Sequence, residues 1–205
     1  MVSYMRCKVC GNKAEFRCVV CGEFTCRVHT QLRPICRECI KKKTHKYFIR
    51  EATVEDKEAI GGLVELFWSE SEQVTFNREF TVKELPAFVA VSEDKIVGFI
   101  SYSELNESDV LIVALGVLPE YQGSGIGKAL LLALEEKSRK LLKKRLLVST
   151  SNDDLPALAF YQLMDFQIFE VVPNVIAKKH GGILPGIGNI PIRDEIRLQK
   201  DITST

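Results

Sequence analysis

The stretch Val110 to Glu135, VLIVALGVLPEYQGSGIGKALLLALE, decides the fold. Val110 to Val117 is nearly all apolar, as expected of a strand covered on both faces. Pro119 ends that strand. Gln122-Gly123-Ser124-Gly125-Ile126-Gly127 then opens into Lys128 to Glu135, which is strongly helical. A strand, a glycine-rich turn and a helix start make an anion site. Glycines let the backbone approach closely, successive N–H groups point at the ligand, and the helix N-terminus favours negative charge. Two phosphate motifs do not fit. The dinucleotide fingerprint needs Gly-x-Gly-x-x-Gly, whereas the glycines here run Gly123-x-Gly125-x-Gly127, and the P-loop's Gly-Lys-Ser/Thr is broken because Ala129 follows Lys128.

Working outward, the chain from Tyr47 onward reads as an alternating α/β domain. Tyr47 to Ala52 is expected as a strand, and the segment from Thr53, with Glu55 and Asp56 in its first turn and Ile60, Leu63, Val64 and Phe67 on one face, as an amphipathic helix. Phe88 to Val91 and Ile96 to Ser103 flank the turn Ser92-Glu93-Asp94-Lys95 as a hairpin. Arg145 to Thr150 predicts a strand, Asp154 to Tyr161 a helix, and Phe166 to Val172 and Glu195 to Gln199 the last two strands.

The pattern Gln-x-x-Gly-x-Gly after Leu115-Gly116-Val117-Leu118-Pro119-Glu120 resembles the GNAT acyltransferase superfamily, and the resemblance covers roughly residues 47 to 200. It implies an α/β (α+β) fold with a mixed, mostly antiparallel sheet flanked by helices. It also implies that the turn Gln122, Gly123, Ser124, Gly125, Ile126 and Gly127 binds the pyrophosphate of acetyl-CoA, the cosubstrate. Leu115, Gly116 and Val117, on a splayed strand, would offer backbone groups to the thioester and pantetheine. A second family motif, Asn-x-x-Ala-x-x-Phe/Leu-Tyr, is matched by Ala157, Phe160 and Tyr161. The family's cofactor-binding Asn falls on Asp154, with Asn152 nearby as a substitute, and the usual Gly before Phe166 is Asp165.

Direct transfer to an amine needs oxyanion donors and an acid for the departing thiolate. By motif position Tyr161 is the candidate acid, since a phenol can give its proton to a thiolate without being ionised at neutral pH. Oxyanion stabilisation is expected from backbone N–H groups near Val117. The strand before the turn carries no carboxylate, and Ser149 stands where some family members keep a glutamate; Glu104 is a candidate base, with surface solvation the alternative. His180 is expected in a loop rather than in the site. The stretch Gly181 to Gly186 is expected to border the acceptor pocket. Glu70, Glu72, Glu79 and Glu84 lie on the side that lines the acceptor in many GNATs.

All seven cysteines fall between Cys7 and Cys39, which marks a boundary between residues 1–45 and 46–205. The ligand pairs are Cys7/Cys10, Cys18/Cys21, Cys26/His29 and Cys36/Cys39, each with a two-residue spacer that lets both side chains reach one ion. Eight ligands make two tetrahedral structural zinc sites. The short gap between Cys21 and Cys26 favours interleaving: Cys7, Cys10, Cys26 and His29 around one ion, Cys18, Cys21, Cys36 and Cys39 around the other. These spacings resemble the B-box class of zinc finger over roughly residues 5 to 45, with Cys36 and Cys39 in place of two histidines and His45 as a possible substitute ligand. The resemblance implies a docking or stabilising role, and every ligand position is filled, which leaves no vacancy for a catalytic water.

Residues 1 to 50 hold 12 Lys/Arg against 3 Asp/Glu, and the remainder 16 against 24. The basic half either attracts the acidic half or meets a protein or nucleic-acid partner. With no apolar run of membrane-spanning length and no secretory signal, a cytoplasmic location without membrane contact is expected, where reduced cysteines favour metal over disulfides. Two further function classes stay open. One is a non-catalytic acyl-CoA sensor, the other a nucleic-acid-associated modifier targeted by the zinc module.

Overall fold

A computed structural model describes residues 5–14, 16–18, 21–26, 29 and 45–203. The chain divides into two compact units, Met1–His45 and Lys46–Thr205.

In the first unit β1 (Phe16–Arg17) pairs antiparallel with β2 (Phe24–Thr25). Its two Cys-x2-Cys-Gly segments carry matching main-chain hydrogen bonds. Cys7 N–H bonds Asn12 O at 2.7 Å and Gly11 N–H bonds Cys7 O at 2.8 Å, while Cys18 N–H bonds Glu23 O at 2.8 Å and Gly22 N–H bonds Cys18 O at 2.9 Å. Gly11 and Gly22 both hold φ +74°, a left-handed conformation that favours glycine. Cys36 and Cys39 lie outside the described residues.

The second unit runs β3 (Phe48–Glu51), α1 (Lys57–Trp68), β4 (Glu72–Thr75), β5 (Arg78–Thr81), β6 (Ala87–Ser92), β7 (Lys95–Glu104), β8 (Asp109–Val117), α2 (Ile126–Lys140), β9 (Arg145–Ser151), α3 (Leu155–Leu163), β10 (Gln167–Val172), α4 (Val175–Lys179), β11 (Leu184–Pro185), β12 (Pro191–Ile192) and β13 (Glu195–Asp201). Seven strands form one sheet in the order β10-β13-β9-β8-β7-β6-β3. The β8/β9 pair is parallel and the other neighbours are antiparallel. This is the mixed, mostly antiparallel, helix-flanked sheet that the family resemblance implies.

Period-two alternation along β6 sends Phe88 and Ala90 to one face and Val89 and Val91 to the other. The first face packs against Leu130, Leu131 and Leu134 of α2 and Leu158 and Tyr161 of α3. The opposite face packs against Ile60, Leu63 and Val64 of α1. Both faces being covered, every residue of β6 is buried. At the start of α1 the Asp56 carboxylate accepts the Thr53 N–H at 2.7 Å and both Arg50 terminal nitrogens at 2.5 and 2.9 Å, fixing the helix to β3. The polar stretch between α1 and β6 forms a small hairpin, β4 with β5, whose turn holds Phe76 and Asn77 at φ 51° and 58°.

Candidate active site

β8 and β9 stay in register only from Asp109 opposite Arg145 to Ile112 opposite Val148. Beyond that point Ser149, Thr150 and Ser151 of β9 pair with β13, and β8 continues against β7. Val113 is an extra residue between Ile112, opposite Tyr102, and Ala114, opposite Ser101, and such a bulge bends its strand. The two strands therefore fork. Leu118 N–H bonds Val97 O at 2.9 Å, so the alternation of an antiparallel ladder turns the main chain of Gly116 toward β7 and that of Leu115 and Val117 into the fork. Gly116 thus contributes room rather than main-chain groups: a Cβ there would lie 2.5 Å from the Phe67 ring.

At the end of β8, Gly123 and Gly125 hold φ +80° and +90°. Gly125 is the N-cap of α2, and no side chain caps the helix. The helical ladder begins at Ala129 N–H to Gly125 O, 3.0 Å, which leaves the N–H groups of Ile126, Gly127 and Lys128 ahead of it. Ser124 turns its hydroxyl back to Tyr121 O at 2.5 Å, and the Gln122 amide donates to Val117 O at 3.0 Å, tying the turn to the strand.

A cleft of about 460 Å³ opens at the fork. Ala114, Leu115, Val148 and Ser149 form its floor, Trp68, Val74 and Thr75 one wall, and Val175, Ile176 and Leu184 the other. Glu70 joins the walls at the rim, bonding Lys179 Nζ at 2.9 Å with His180 Nδ1 3.8 Å away. His180 thus lines the cleft from the end of α4, where the sequence suggested a loop away from it. Leu184 brings the glycine-rich segment to the same wall. Of Glu70, Glu72, Glu79 and Glu84, Glu70 alone lines the cleft among the described residues; Glu72 accepts the Thr81 hydroxyl and Glu84 pairs with Lys57.

Tyr161, on α3, is 5% exposed and lines the cleft between Phe160 and Phe166, whose rings meet it edge-on at 5.2 and 5.4 Å. Burial, and after it the Asp154 charge, pushes its phenol well above the usual range, so it stays protonated.

Residues 47–166 match the Acetyltransferase (GNAT) family. The chain belongs to that family. The Bacillus subtilis protein YdhI, itself uncharacterised, is 35% identical over 140 residues, spanning 66% of this chain and 86% of its own. The solved structure of IAA acetyltransferase from Bacillus cereus superposes with a TM-score of 0.64 at 26% identity, over 76% of this chain and 99% of that one. A GNAT family acetyltransferase from Elizabethkingia anophelis with acetyl-CoA bound shares the fold, with a TM-score of 0.57 at 19% identity over 76% of this chain and 97% of that one.

Against the GNAT pattern, Asp154 is the N-cap of α3: its Oδ1 accepts Ala157 N–H at 3.0 Å while the residue lines the cleft. Burial raises its pKa, and the Asp153 charge adds to that against the bonds from Ala157 and Thr150. Asn152 is engaged elsewhere. Its amide donates to Pro191 O at 2.9 Å and its oxygen accepts the N–H groups of Arg193 and Asp194 at 3.0 Å each, holding the segment before β13. Glu104 pairs with Lys143 at 2.6 Å and does not line the cleft.

A further carboxylate of the cleft, besides Glu70 and Asp154, was not visible as a candidate in the sequence. Glu195, 5% exposed at the start of β13, lines the cleft. Its Oε2 accepts Arg197 Nε at 3.0 Å and a terminal Arg197 nitrogen at 2.8 Å; its Oε1 accepts Phe76 N–H at 3.0 Å and the Thr75 hydroxyl at 3.4 Å. Thr75 Oγ1 in turn lies 2.6 Å from Ser149 Oγ. Burial would raise the Glu195 pKa, but the bonds from Phe76, Ser149 and Arg197 outweigh it and hold the carboxylate ionised.

In the first unit Cys7, Cys10, Cys26 and His29 converge, their ligand atoms all within 4.8 Å of one another. Cys7 Sγ to His29 Nδ1 is 3.7 Å, Cys10 Sγ to Cys26 Sγ 3.7 Å, and Cys26 Sγ to His29 Nδ1 3.3 Å. Burial works against ionising Cys7, yet the main chain of Cys26, Cys10 and Val9 and the His29 ring bring its thiol down to about 6.

Proposed function

We propose that the second unit is an acetyl-CoA-dependent N-acetyltransferase that moves the acetyl group directly to an amine. The observation that carries the reading is the conjunction at one place of a forked β8/β9 pair, an uncapped helix N-terminus at Gly125 and a buried, protonated Tyr161. Acetyl-CoA would lay its pyrophosphate on the N–H groups of Gly123 to Lys128 and its pantetheine along the fork, where Leu115 and Val117 present main-chain groups. The neutral amine then forms the N–C bond, a fork N–H stabilises the oxyanion, and the C–S bond breaks. The thiolate takes the Tyr161 proton, and the proton lost by nitrogen restores the phenol through solvent.

Tyr161→Phe keeps the ring contacts with Phe160 and Phe166, so its effect isolates the hydroxyl. Thiol release from acetyl-CoA with a pool of polyamines, amino acids, aminoglycosides and peptides should fall about 100-fold or more in kcat, with acetyl-CoA affinity unchanged. An unchanged rate removes Tyr161 as the acid. Acetyl-CoA binding without transfer to any pool favours a sensor.

The first unit is proposed as a B-box-like two-zinc module for docking or stability. A zinc ion about 2.3 Å from sulfur and about 2.0 Å from nitrogen in tetrahedral geometry needs ligand separations of roughly 3.5–3.8 Å. The separations of 3.7 Å for Cys7/His29 and for Cys10/Cys26 fall in that range, and the 3.3 Å of Cys26/His29 lies just below it. Cys18 and Cys21, whose segment carries main-chain hydrogen bonds matching those of Cys7 and Cys10, would supply half of the second site, with Cys36 and Cys39 as its other half. Bound zinc would crosslink the chain; this donor set serves stability rather than catalysis. Metal analysis of the full chain should return about two zinc ions. A value near zero overturns the module, and steep salt-dependent nucleic-acid binding by the full chain would assign it that partner.

A further inference from the structure

Beyond the last parallel pair neither β8 nor β9 carries a carboxylate, and the first position of β9 there is Ser149. Three strands converge on that hydroxyl. Thr75 of β4, 6% exposed, sits behind it at 2.6 Å, and Glu195 of β13 sits behind Thr75 at 3.4 Å. Ser149 itself is half-buried on the cleft floor.

The direction of these hydrogen bonds follows from chemistry. An ionised carboxylate only accepts. Glu195 is held ionised by Arg197 and by the Phe76 N–H, so the Thr75 hydroxyl spends its proton on Glu195. Either hydroxyl could donate in the short Thr75/Ser149 contact; with the Thr75 proton on Glu195 it is the Ser149 proton, Thr75 accepting. If Ser149 bonds Glu195 directly instead, its proton is again turned inward. Either arrangement leaves a Ser149 lone pair facing the cleft as an acceptor, at the fork.

We infer that Ser149 is the group that positions the acceptor nitrogen, and that Thr75 and Glu195 set its polarity. The inference rests on the transferase reading. A primary amine donating one N–H to Ser149 Oγ keeps its lone pair free to face the thioester lodged along Leu115. Apolar Trp68, Val74, Val175 and Ile176 line the way there together with polar Glu70 and His180, so the cleft accepts a primary amine on an aliphatic stem and leaves polar groups for the stem's far end. Glu195 and Thr75 act through Ser149 and are positioning residues.

The test uses the full chain with acetyl-CoA and n-hexylamine as the probe, in wild type, Ser149→Ala and Ser149→Thr, with melting temperatures recorded. Loss of Ser149 Oγ should lower kcat/KM for the amine about 10-fold, as expected for one hydrogen bond to a neutral partner, while KM for acetyl-CoA stays at the wild-type value. Ser149→Thr, which keeps the hydroxyl, should restore most of the difference. Equal amine kinetics in wild type and Ser149→Ala overturn the inference, as does a change confined to KM for acetyl-CoA. If wild type binds acetyl-CoA but acetylates no amine, the transferase reading fails separately. Calorimetric binding of n-hexylamine to the protein with CoA then decides the site: binding by wild type that weakens in Ser149→Ala upholds it, and no binding, or equal binding, removes it.

Discussion

Gly116 offers a sharp physical test of how the fork is held. A Cβ at this position would lie 2.5 and 2.6 Å from two Phe67 ring carbons and 3.3 Å from Phe99. Carbon atoms in contact prefer about 3.5–4.0 Å, so in Gly116→Ala the Phe67 ring has to withdraw by about 1 Å. Phe67 meets Trp68 edge-on at 5.5 Å, and Trp68 meets Phe99 at 6.3 Å, so the displacement passes to the cleft wall that Trp68 forms. Overpacking of this kind costs about 1–3 kcal/mol. At about 2–4 °C per kcal/mol for a unit of this size, the melting temperature should fall by roughly 4–8 °C for the middle of that range. Gly62, exposed on α1 with nothing within 4 Å of where an added methyl group would sit, is the control of opposite sign. Its replacement by Ala should stabilise by about 0.5–1 kcal/mol through helix propensity. Thermal denaturation of both variants, with calorimetric titration of acetyl-CoA, reads the effect. A Gly116→Ala protein as stable as wild type would refute the packing argument, and so would a Gly62→Ala protein that melts lower than it.

Three further outcomes are expected. The Arg50 guanidinium holds Asp56 at about 2 against an ordinary 3.8; the folded value lies below the unfolded one, so this contribution is complete above about pH 4 and is lost as the pH falls toward 2. It amounts to about 2 kcal/mol at most, because Arg50 is partly solvated, and Asp56→Asn should flatten that limb of an acid-denaturation profile. Gly125→Ala places a side chain at φ +90° with 3.6 Å to the Tyr47 hydroxyl, so backbone strain of about 1–2 kcal/mol dominates and acetyl-CoA affinity should drop roughly tenfold in calorimetry. Asp154→Asn keeps the helix cap and removes a buried charge whose pKa is raised, so urea titration should find it more stable than wild type at neutral pH, the difference closing as the pH falls and Asp154 takes up its proton.

The parts of the GNAT unit legible in the sequence are those encoded locally. Val110 to Val117 shows itself as a buried strand because both its faces are apolar, and the turn after it because glycine at positive φ and an uncapped helix start leave a mark in composition. The hairpin of β4 and β5 left no such mark. Its strands are four residues each, mostly polar, and held to the sheet by Glu195 and Arg197 rather than by an apolar face. Arg197 lies 4.6 Å over the Phe76 ring and bonds Glu170 as well, a set of contacts that spans more than 90 residues of chain. Asn152 illustrates the converse. Its nearness to the motif position at Asp154 suggests a substitute cofactor contact, but its amide is consumed by three main-chain groups of the segment before β13, a demand that no local spacing reveals.

The search for a base also shows what position in a motif can and cannot carry. Scanning β8 and β9 beyond their last parallel pair for a carboxylate finds Ser149 instead, and a residue-by-residue reading stops there. In the folded unit β9 has β13 on its other side, with Arg197 opposite Ser149 and Glu195 opposite Ser151. A carboxylate two residues along a neighbouring strand reaches the same point in space through Thr75. The charge is therefore present at the fork but supplied at second hand, and its low pKa makes it a poor proton acceptor. What it can do is fix which way two hydroxyl protons point. That shifts the question from which residue removes a proton to which residue orients the nitrogen, and an amine that arrives neutral needs only the latter.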